Sequence, residues 1–60
     1  MMANTLNLKI KCVKNDGYPA SLEIGRVYDG MRLSRGGFGV KDESGEIYAY
    51  QESFFEIVDN

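Results

Sequence analysis

The sequence predicts a small all-β protein whose five strands close into a barrel. Between Gly25 and Val58, short apolar runs alternate with glycine-containing turns, which is the pattern of a meander of short strands. The chain has 60 residues, a length that accommodates one domain with a single small core. We therefore expect one domain over residues 1–60, with its core in about residues 5–59 and a loose N-terminus at residues 1–4.

The composition argues against a protein held together by disulfides or metal ions. The chain contains one cysteine, Cys12, and no histidine. A single cysteine cannot form an internal disulfide, and zinc sites need more thiolate and imidazole ligands than this chain has. The missing disulfide framework is typical of a reducing compartment. We therefore expect no metal and no cofactor.

The N-terminal segment and the apolar runs of the sequence predict where the protein is located. The N-terminus does not show the basic and apolar regions of a signal peptide. No apolar run approaches the roughly 20 residues that a membrane-spanning helix needs. We expect a cytoplasmic protein that does not associate with a membrane.

The charge balance does not favour nucleic-acid binding. Nine acidic residues face seven basic ones, giving a net charge of −2. Proteins that bind nucleic acid through its backbone usually carry a basic surplus. Nucleic acid therefore remains an alternative partner rather than the preferred one.

The first strand is predicted over residues 5–13. Its residues alternate between an apolar and a polar face, and the apolar face carries Leu6, Leu8, Ile10 and Cys12. An alternation of period two indicates a half-buried strand. We expect Cys12 to be a buried and unreactive thiol.

A long connection follows over residues 14–25. Residues 15–17, Asn-Asp-Gly, suit a tight turn because glycine accepts positive φ and Asn or Asp bonds to its own backbone. We expect Leu22 and Ile24 to anchor this loop on the core. Residues 20–23 are compatible with one helical turn, but not with a longer helix.

The second strand is predicted over residues 26–33. We expect Val27, Met31 and Leu33 to face the core. Gly30 lies in the middle of this strand and indicates a bulge or a bend.

The third strand is predicted over residues 38–43, with Phe38 and Val40 on one face. A compact hairpin turn at residues 43–46 connects it to a fourth strand over residues 47–51.

The inward face of the fourth strand is ambiguous. Either Ile47 and Ala49 or Tyr48 and Tyr50 face the core, and the second arrangement is preferred because it builds a thicker wall. A turn or a single 3₁₀ turn is expected at residues 52–54, before a last short strand.

Several of these segments together resemble the Src-homology-3-like barrel. The similarity covers about residues 6–58 and rests on Leu22, on Gly-Arg-Val-Tyr at residues 25–28, on the Ser-Gly hairpin at 44–45, and on Ser-Phe-Phe-Glu-Ile-Val at 53–58. The predicted order of elements is also the order in that family. The resemblance implies a five-stranded barrel with a long first loop and a 3₁₀ turn before the last strand.

The resemblance concerns the fold rather than peptide binding. Peptide-binding members of the family hold proline-rich segments in an aromatic groove. This chain has no tryptophan, and Gln51 stands where those members have a proline. The segment at residues 17–28 also resembles the corresponding sequence of small proteins of this fold that bacterial phages and prophages encode.

Aromatic and basic residues are the candidate binding residues. Tyrosine offers a large and stiff contact area at interfaces, although it is also a good strand residue. The residues predicted to contact a partner are Tyr18, Tyr28, Arg32, Arg35, Phe38 and Tyr48. We expect the aromatic ones to bind a host or viral protein. In the alternative, the protein is a nucleic-acid-binding accessory protein that uses the basic residues of strands two and three, with Arg32 and Arg35 among its contacts.

Acidic residues crowd the C-terminal half, but they do not predict an enzyme. Paired carboxylates can transfer protons or bind Mg²⁺. Such sites need a concave pocket, for which a small barrel filled by its own side chains has little room. We expect a non-enzymatic interaction module that is a monomer or, through an exposed edge strand, a weak homodimer.

Overall fold

The structure is a computed structural model that describes residues 6–59, and it is all-β as predicted. The strands are β1 (Leu8–Cys12), β2 (Val27–Arg32), β3 (Phe38–Lys41), β4 (Ile47–Tyr50) and β5 (Phe55–Asp59), with a 3₁₀ turn at Glu52–Phe54. The predicted order of elements is confirmed. The predictions of a loose N-terminus at residues 1–4 and of a strand that begins at Thr5 lie outside the described residues.

All five strands belong to one antiparallel sheet in the order β4-β3-β2-β1-β5. The strands at the two edges, β4 and β5, are consecutive in the chain and are separated only by residues 51–54. A flat sheet of this kind would place its outer strands about 19 Å apart, whereas this connection with its 3₁₀ turn spans about 13 Å. The sheet must therefore curl.

Aromatic contacts hold the curled sheet together on its inner side. The ring of Phe55 packs edge-to-face on Phe38, with centroids 6.0 Å apart, and on Tyr50, at 6.2 Å. These contacts join the first residue of β5 to β3 and β4. Within residues 6–59, no strand pairing joins β4 to β5, so the sheet is curled but open.

The core lies on the concave side of this sheet. Its buried apolar side chains are Ile10, Cys12, Leu22, Tyr28, Phe38, Val40, Tyr50, Phe54 and Phe55. The predicted inward faces of the first and third strands and the anchoring role of Leu22 are confirmed. Burial raises the pKa of the Cys12 thiol, which donates a hydrogen bond to the carbonyl oxygen of Lys14 at 3.1 Å.

The predicted inward face of the second strand is wrong. Val27 is 47% exposed, whereas Tyr28 and Gly30 face the core. The register explains this, because Tyr28 pairs with the buried Ile10 and Gly30 pairs with the buried Val40. Paired residues lie on the same face of a sheet.

The other two residues predicted to face inward are half-buried on the opposite face of the sheet. A Cβ added at Gly39 would lie 3.0 Å from the Met31 methyl carbon and 3.4 Å from a Leu33 methyl carbon. Met31 and Leu33 therefore cover the convex side of β3.

The bulge predicted at Gly30 is also not found there. Gly30 pairs with Leu8 on one side and Val40 on the other without a shift of register. The irregularity lies between Lys9 and Ile10, opposite β5. Gly30 instead allows a close approach, since a Cβ there would come within 2.7 Å of the Ile10 Cδ1 atom.

The long loop between β1 and β2 has one anchor rather than two. Leu22 is fully buried, but Ile24 is 59% exposed, so the second predicted anchor is wrong. One turn is closed near residue 20, because the amides of Ser21 and Leu22 both donate to the Tyr18 carbonyl, at 3.1 and 3.0 Å. This turn sets the direction of Leu22.

In β4, the preferred prediction that Tyr48 and Tyr50 face the core holds for Tyr50 only. Tyr50 is buried, but Tyr48 on the same face is 52% exposed, and Ile47 and Ala49 are exposed as well. β4 is an edge strand, and only the end of it that adjoins the 3₁₀ turn reaches the core.

Candidate functional site

An open groove of about 430 Å³ lies between the long loop and β4. We call it the tyrosine groove, and its lining residues are Tyr18, Ser21, Ser44, Tyr48, Ala49 and Tyr50. Tyr18 and Tyr48 are about half exposed, at 49% and 52%, while Tyr50 is buried. The groove thus has aromatic walls with polar tips, a surface suited to binding a partner that is partly apolar.

Tyr18 is held in place by its neighbours in the core. Its ring packs edge-to-face on Tyr50, with centroids 5.1 Å apart, and on Phe54, at 6.2 Å. Its backbone amide donates to the Asn15 carbonyl at 2.8 Å. A side chain that is already fixed loses little conformational freedom when a partner binds.

Tyr50 forms the floor of the groove and is tied to the hairpin turn by Asp42. The Tyr50 hydroxyl donates to Asp42 Oδ2 at 2.5 Å, and the Ser44 amide and hydroxyl donate to Oδ1 at 2.9 and 2.5 Å. These bonds explain why β3 ends at Lys41 and not at residue 43 as predicted, since Asp42 caps the turn with its side chain.

The ionisation of this pair follows from burial and hydrogen bonding. Burial acts to raise the pKa of the Asp42 carboxyl, but the hydrogen bonds from Ser44 and Tyr50 outweigh it and the pKa lies below its ordinary value. Burial, together with the bond to Asp42, raises the pKa of Tyr50 to about 12. The pair is therefore a neutral phenol on a carboxylate at neutral pH, which holds the turn in place.

A second tyrosine–carboxylate pair fixes the opposite wall of the groove. The Tyr28 hydroxyl donates to Glu43 Oε2 at 2.6 Å and accepts from the Glu23 amide at 2.8 Å. The Glu43 amide in turn donates to the Ser21 carbonyl at 2.9 Å. Burial, followed by the bond to Glu43, raises the pKa of Tyr28 to about 12. The long loop is thus bound to the hairpin beside the groove.

Arg26 completes this connection. Its guanidinium contacts both carboxylate oxygens of Glu43, at 3.2 and 3.0 Å, and the carboxylate of Glu23 at 3.2 Å. The charge of Glu43 is balanced at the loop and is not directed into the groove.

The structure brings together two of the four predicted aromatic residues. Tyr18 and Tyr48 line the tyrosine groove. Tyr28 and Phe38 are buried, so the structure places these two predicted contact residues in the core. Both belong to the inward phase of their strands, where a partner cannot reach the ring.

Other residues of the groove were not singled out from the sequence. Ser21, Ser44 and Ala49 reach it only through the docking of the loop on the hairpin. Tyr50 had a detectable signal, because it shares the face of Tyr48 at a spacing of two.

The Tyr48 hydroxyl donates to Glu46 Oε1 at 3.1 Å, and this bond raises the pKa of Tyr48.

The predicted basic residues do not line the tyrosine groove. Arg32 contacts the Glu52 carboxylate at 3.7 Å, and its guanidinium carbon lies 5.2 Å from the centre of the Phe38 ring. Arg35 is exposed in the loop between β2 and β3. Lys9 is paired with Asp29. Among the residues that line the groove, none is basic.

The described residues contain neither a metal-binding cluster nor a membrane-spanning helix. Over residues 6–59, no three His, Cys, Asp or Glu side chains gather as a metal ion would require. The part of the chain that the structure describes contains no helix with the length and apolar character to cross a bilayer.

Comparison of the chain with protein-family models, with curated proteins and with solved structures finds no significant match.

Proposed function

We propose that the protein is a small, non-enzymatic protein-interaction module with the architecture of a Src-homology-3-like barrel. Three features support the architecture. The elements follow the order of that family, and the 3₁₀ turn leads directly into a last strand that pairs with β1. The curled sheet carries its core on the concave side, as a partly open barrel would.

The tyrosine groove is the observation that carries the functional proposal. Tyrosines are enriched at protein interfaces because the ring supplies area and the hydroxyl supplies a hydrogen bond. Tyr18 and Tyr48 stand on the rim of the groove, half exposed, with Tyr50 behind them. We assign to this surface a cytoplasmic partner that is a bacterial host protein or a viral protein, consistent with a phage or prophage origin.

Nucleic-acid binding remains the second hypothesis. All seven lysines and arginines lie between Lys9 and Lys41. Arg32 is engaged with Glu52 and Phe38, and neither Arg32 nor Arg35 lies in the groove. The two predicted arginines therefore add no positive charge to the tyrosine groove, which favours a protein partner for that groove.

The experiment is an affinity capture of the tagged protein from bacterial lysate, with and without nuclease. The variants are Tyr18→Ala and Tyr48→Ala, and Ile24→Ala is the matched control because Ile24 is comparably exposed but lies outside the groove. We expect wild type and Ile24→Ala to capture the same stoichiometric protein after nuclease treatment. Each tyrosine variant should lower the affinity by about tenfold, as at an interface hot spot.

Two results would contradict this proposal. Capture that survives both tyrosine substitutions would place the interface elsewhere. Recovery of nucleic acid that is lost at moderate salt, and that weakens in Arg32→Ala or Arg35→Ala, would favour the second hypothesis.

A further inference from the structure

β4 is an edge strand without the usual protection of an edge. It pairs with β3 only, and its sequence Ile-Tyr-Ala-Tyr contains no charged residue, proline or glycine. Proteins commonly protect exposed strand edges with charges, prolines, bulges or covering loops. Ile47 and Tyr48 are about half exposed, at 46% and 52%. An edge of this composition favours pairing with a further strand.

The direction of the free backbone groups on β4 follows from its register with β3. The Asp42 amide donates to the Glu46 carbonyl at 3.2 Å, and in the same register Val40 pairs with Tyr48. Since the bonded pairs alternate along an antiparallel ladder, Tyr48 and Tyr50 direct their N–H and C=O groups toward β3. Ile47 and Ala49 direct theirs toward the open edge.

The open edge of β4 borders the tyrosine groove. Ala49 lines the groove on the β4 side, and Tyr18 and Ser21 line it on the side of the long loop. Among the described residues, no backbone hydrogen bond joins Ile47 or Ala49 to that loop. The space of about 430 Å³ therefore lies beside unpaired donors and acceptors.

The charges at the ends of β4 indicate what kind of strand fits. Residues 42–60 contain six acidic residues and no lysine or arginine. Glu46 directly precedes β4 and Glu52 follows it by two residues. Arg32 offsets Glu52 only in part, because the pair is 3.7 Å apart and both side chains are more than half exposed.

These charges argue against a second copy of the chain as the occupant. Antiparallel pairing of two β4 strands would bring Glu46 of one copy toward the Glu52 end of the other. Like charges across a strand pair are destabilising. A strand with lysine or arginine near its ends would have complementary charge.

We infer that the open edge of β4 accepts an extended segment of another protein, which carries basic residues near its ends and pairs as an added strand. This inference rests on the proposed function and specifies how the partner occupies the tyrosine groove. The added strand bonds to the N–H and C=O groups of Ile47 and Ala49, and its side chains contact Tyr18 and Tyr48. Backbone pairing supplies affinity in this mode, and the pockets beside it supply specificity.

The test measures amide hydrogen exchange by nuclear magnetic resonance on the isotope-labelled full chain. The probes are a panel of peptides Lys-Val-X-Val-Lys with blocked termini, each with a different amino acid other than proline at X. We expect at least one peptide to slow exchange at Ile47 and Ala49 by about tenfold or more, with little change at Tyr48, whose amide is already bonded.

The first control alters only the peptide. The peptide that binds best is made in two N-methylated forms, each with methyl groups on alternate backbone nitrogens. The form that lacks the N–H donors facing β4 should bind about tenfold more weakly, and the form that lacks the donors facing away should bind nearly as well as the unmethylated peptide.

The second control alters charge on the protein. Glu46→Gln and Glu52→Gln should each weaken binding by about two- to threefold. Glu56→Gln is the matched control, because it removes the same charge from β5, which forms the opposite edge of the sheet and does not line the groove, and it should bind as wild type does.

A third variant, Ala49→Pro, removes one outward N–H without removing a bond to β3. We expect it to abolish the slowing of exchange at Ile47. If this variant does not fold, the methylated peptides test the same bond on the unaltered protein.

Three results would overturn the inference. One is that no peptide of the panel slows exchange at Ile47 or Ala49. Another is equal binding of both methylated forms. The third is slow exchange at both residues without peptide in a protein that sediments as a dimer, which would make a second copy the occupant. If no peptide slows exchange but capture from lysate still depends on Tyr18 and Tyr48, the results reject strand addition and still support the proposed interaction module.

Discussion

At the scale of single residues, the turn between β2 and β3 depends on two adjacent glycines with different demands. Gly36 and Gly37 both have positive φ, at 100° and 80°. A Cβ added at Gly36 would meet nothing within 4 Å, whereas one at Gly37 would lie 2.6 Å from the Tyr50 carbonyl oxygen. Glycine is therefore required at position 37 both for the positive φ and for the close approach of β4. At position 36 it is required for the positive φ alone.

This difference gives a matched pair of substitutions. Gly36→Ala should lower the free energy of unfolding by about 1–2 kcal/mol through backbone strain. Gly37→Ala should lower it by at least about 1 kcal/mol more, because a backbone atom must move. Urea unfolding of the two variants measures both values, and equal losses would contradict the close approach to Tyr50.

Two buried phenols make stability depend on alkaline pH. The pKa of Tyr28 and of Tyr50 is raised from 10.0 to about 12. A group whose pKa is raised on folding stabilises the protein fully below its unfolded pKa, and this contribution is lost as the pH rises through the folded value. Unfolding free energy should therefore fall between about pH 10 and about pH 12.

The corresponding variant is Tyr50→Phe, measured by urea unfolding across this range. It should lose about 1–2 kcal/mol at neutral pH, because Asp42 loses a buried hydrogen bond, and it should show a shallower decline above pH 10. Tyr48→Phe is the control, since its exposed hydroxyl contacts only Glu46, and it should change neutral-pH stability by less than about 0.5 kcal/mol. An unchanged alkaline decline in Tyr50→Phe would contradict the assignment.

At the scale of elements, the long loop is attached to the sheet at its middle. Leu22 inserts into the core, Tyr28 holds the Glu23 amide, and Glu43 holds the Ser21 carbonyl. These contacts surround one short stretch of a loop that otherwise lies on the surface. The loop therefore forms a fixed wall of the tyrosine groove.

The attachment predicts different outcomes for two neighbouring apolar residues. Leu22→Ala should lower the free energy of unfolding by about 2–5 kcal/mol, because it leaves a cavity under the loop. Ile24→Ala should cost less than about 0.5 kcal/mol, since that side chain is mostly exposed. Thermal unfolding followed by circular dichroism distinguishes them, and similar losses would show that both residues anchor the loop.

At the scale of the whole molecule, the short connection between β4 and β5 forces the sheet to curl, and Phe55 holds it in that shape. Its ring contacts Phe38 of β3 and Tyr50 of β4. The core is one cluster that includes residues from all five strands, the loop and the 3₁₀ turn. We expect the molecule to unfold as a single cooperative unit.

Removal of this central ring should affect the entire fold. Phe55→Ala should lower the free energy of unfolding by about 3–5 kcal/mol. A 60-residue chain has a total stability of about 3–9 kcal/mol, so this variant should lose about a third of it or more and should melt at a clearly lower temperature. Ile57→Ala on the same strand is the control, because Ile57 is half exposed. Folded Phe55→Ala protein with a normal melting temperature would contradict the role of Phe55.

The alternation of β1 and the glycines of the turns could be interpreted correctly from the sequence because their causes are local. Ile10 and Cys12 face inward through the period of the strand, and the hairpin at residues 43–46 depends on nearby polar side chains. β2 could not be interpreted in this way. Val27 and Tyr28 are both apolar enough to be buried, and the choice between them depends on pairing with β1.

The class of the fold, the order of its elements and the charge division between residues 1–41 and 42–60 could be predicted from the amino-acid sequence, because strand period, turn conformation and charge are properties of neighbouring residues. Which tyrosines are exposed could not be predicted in this way, because it depends on how the folded chain packs. Pairing with β1 turns Tyr28 into the core, and the docking of the long loop on the hairpin places Tyr18 and Tyr48 around one groove. Exposure depends on contacts between residues far apart in the chain, and the curl that creates them comes from the whole sheet.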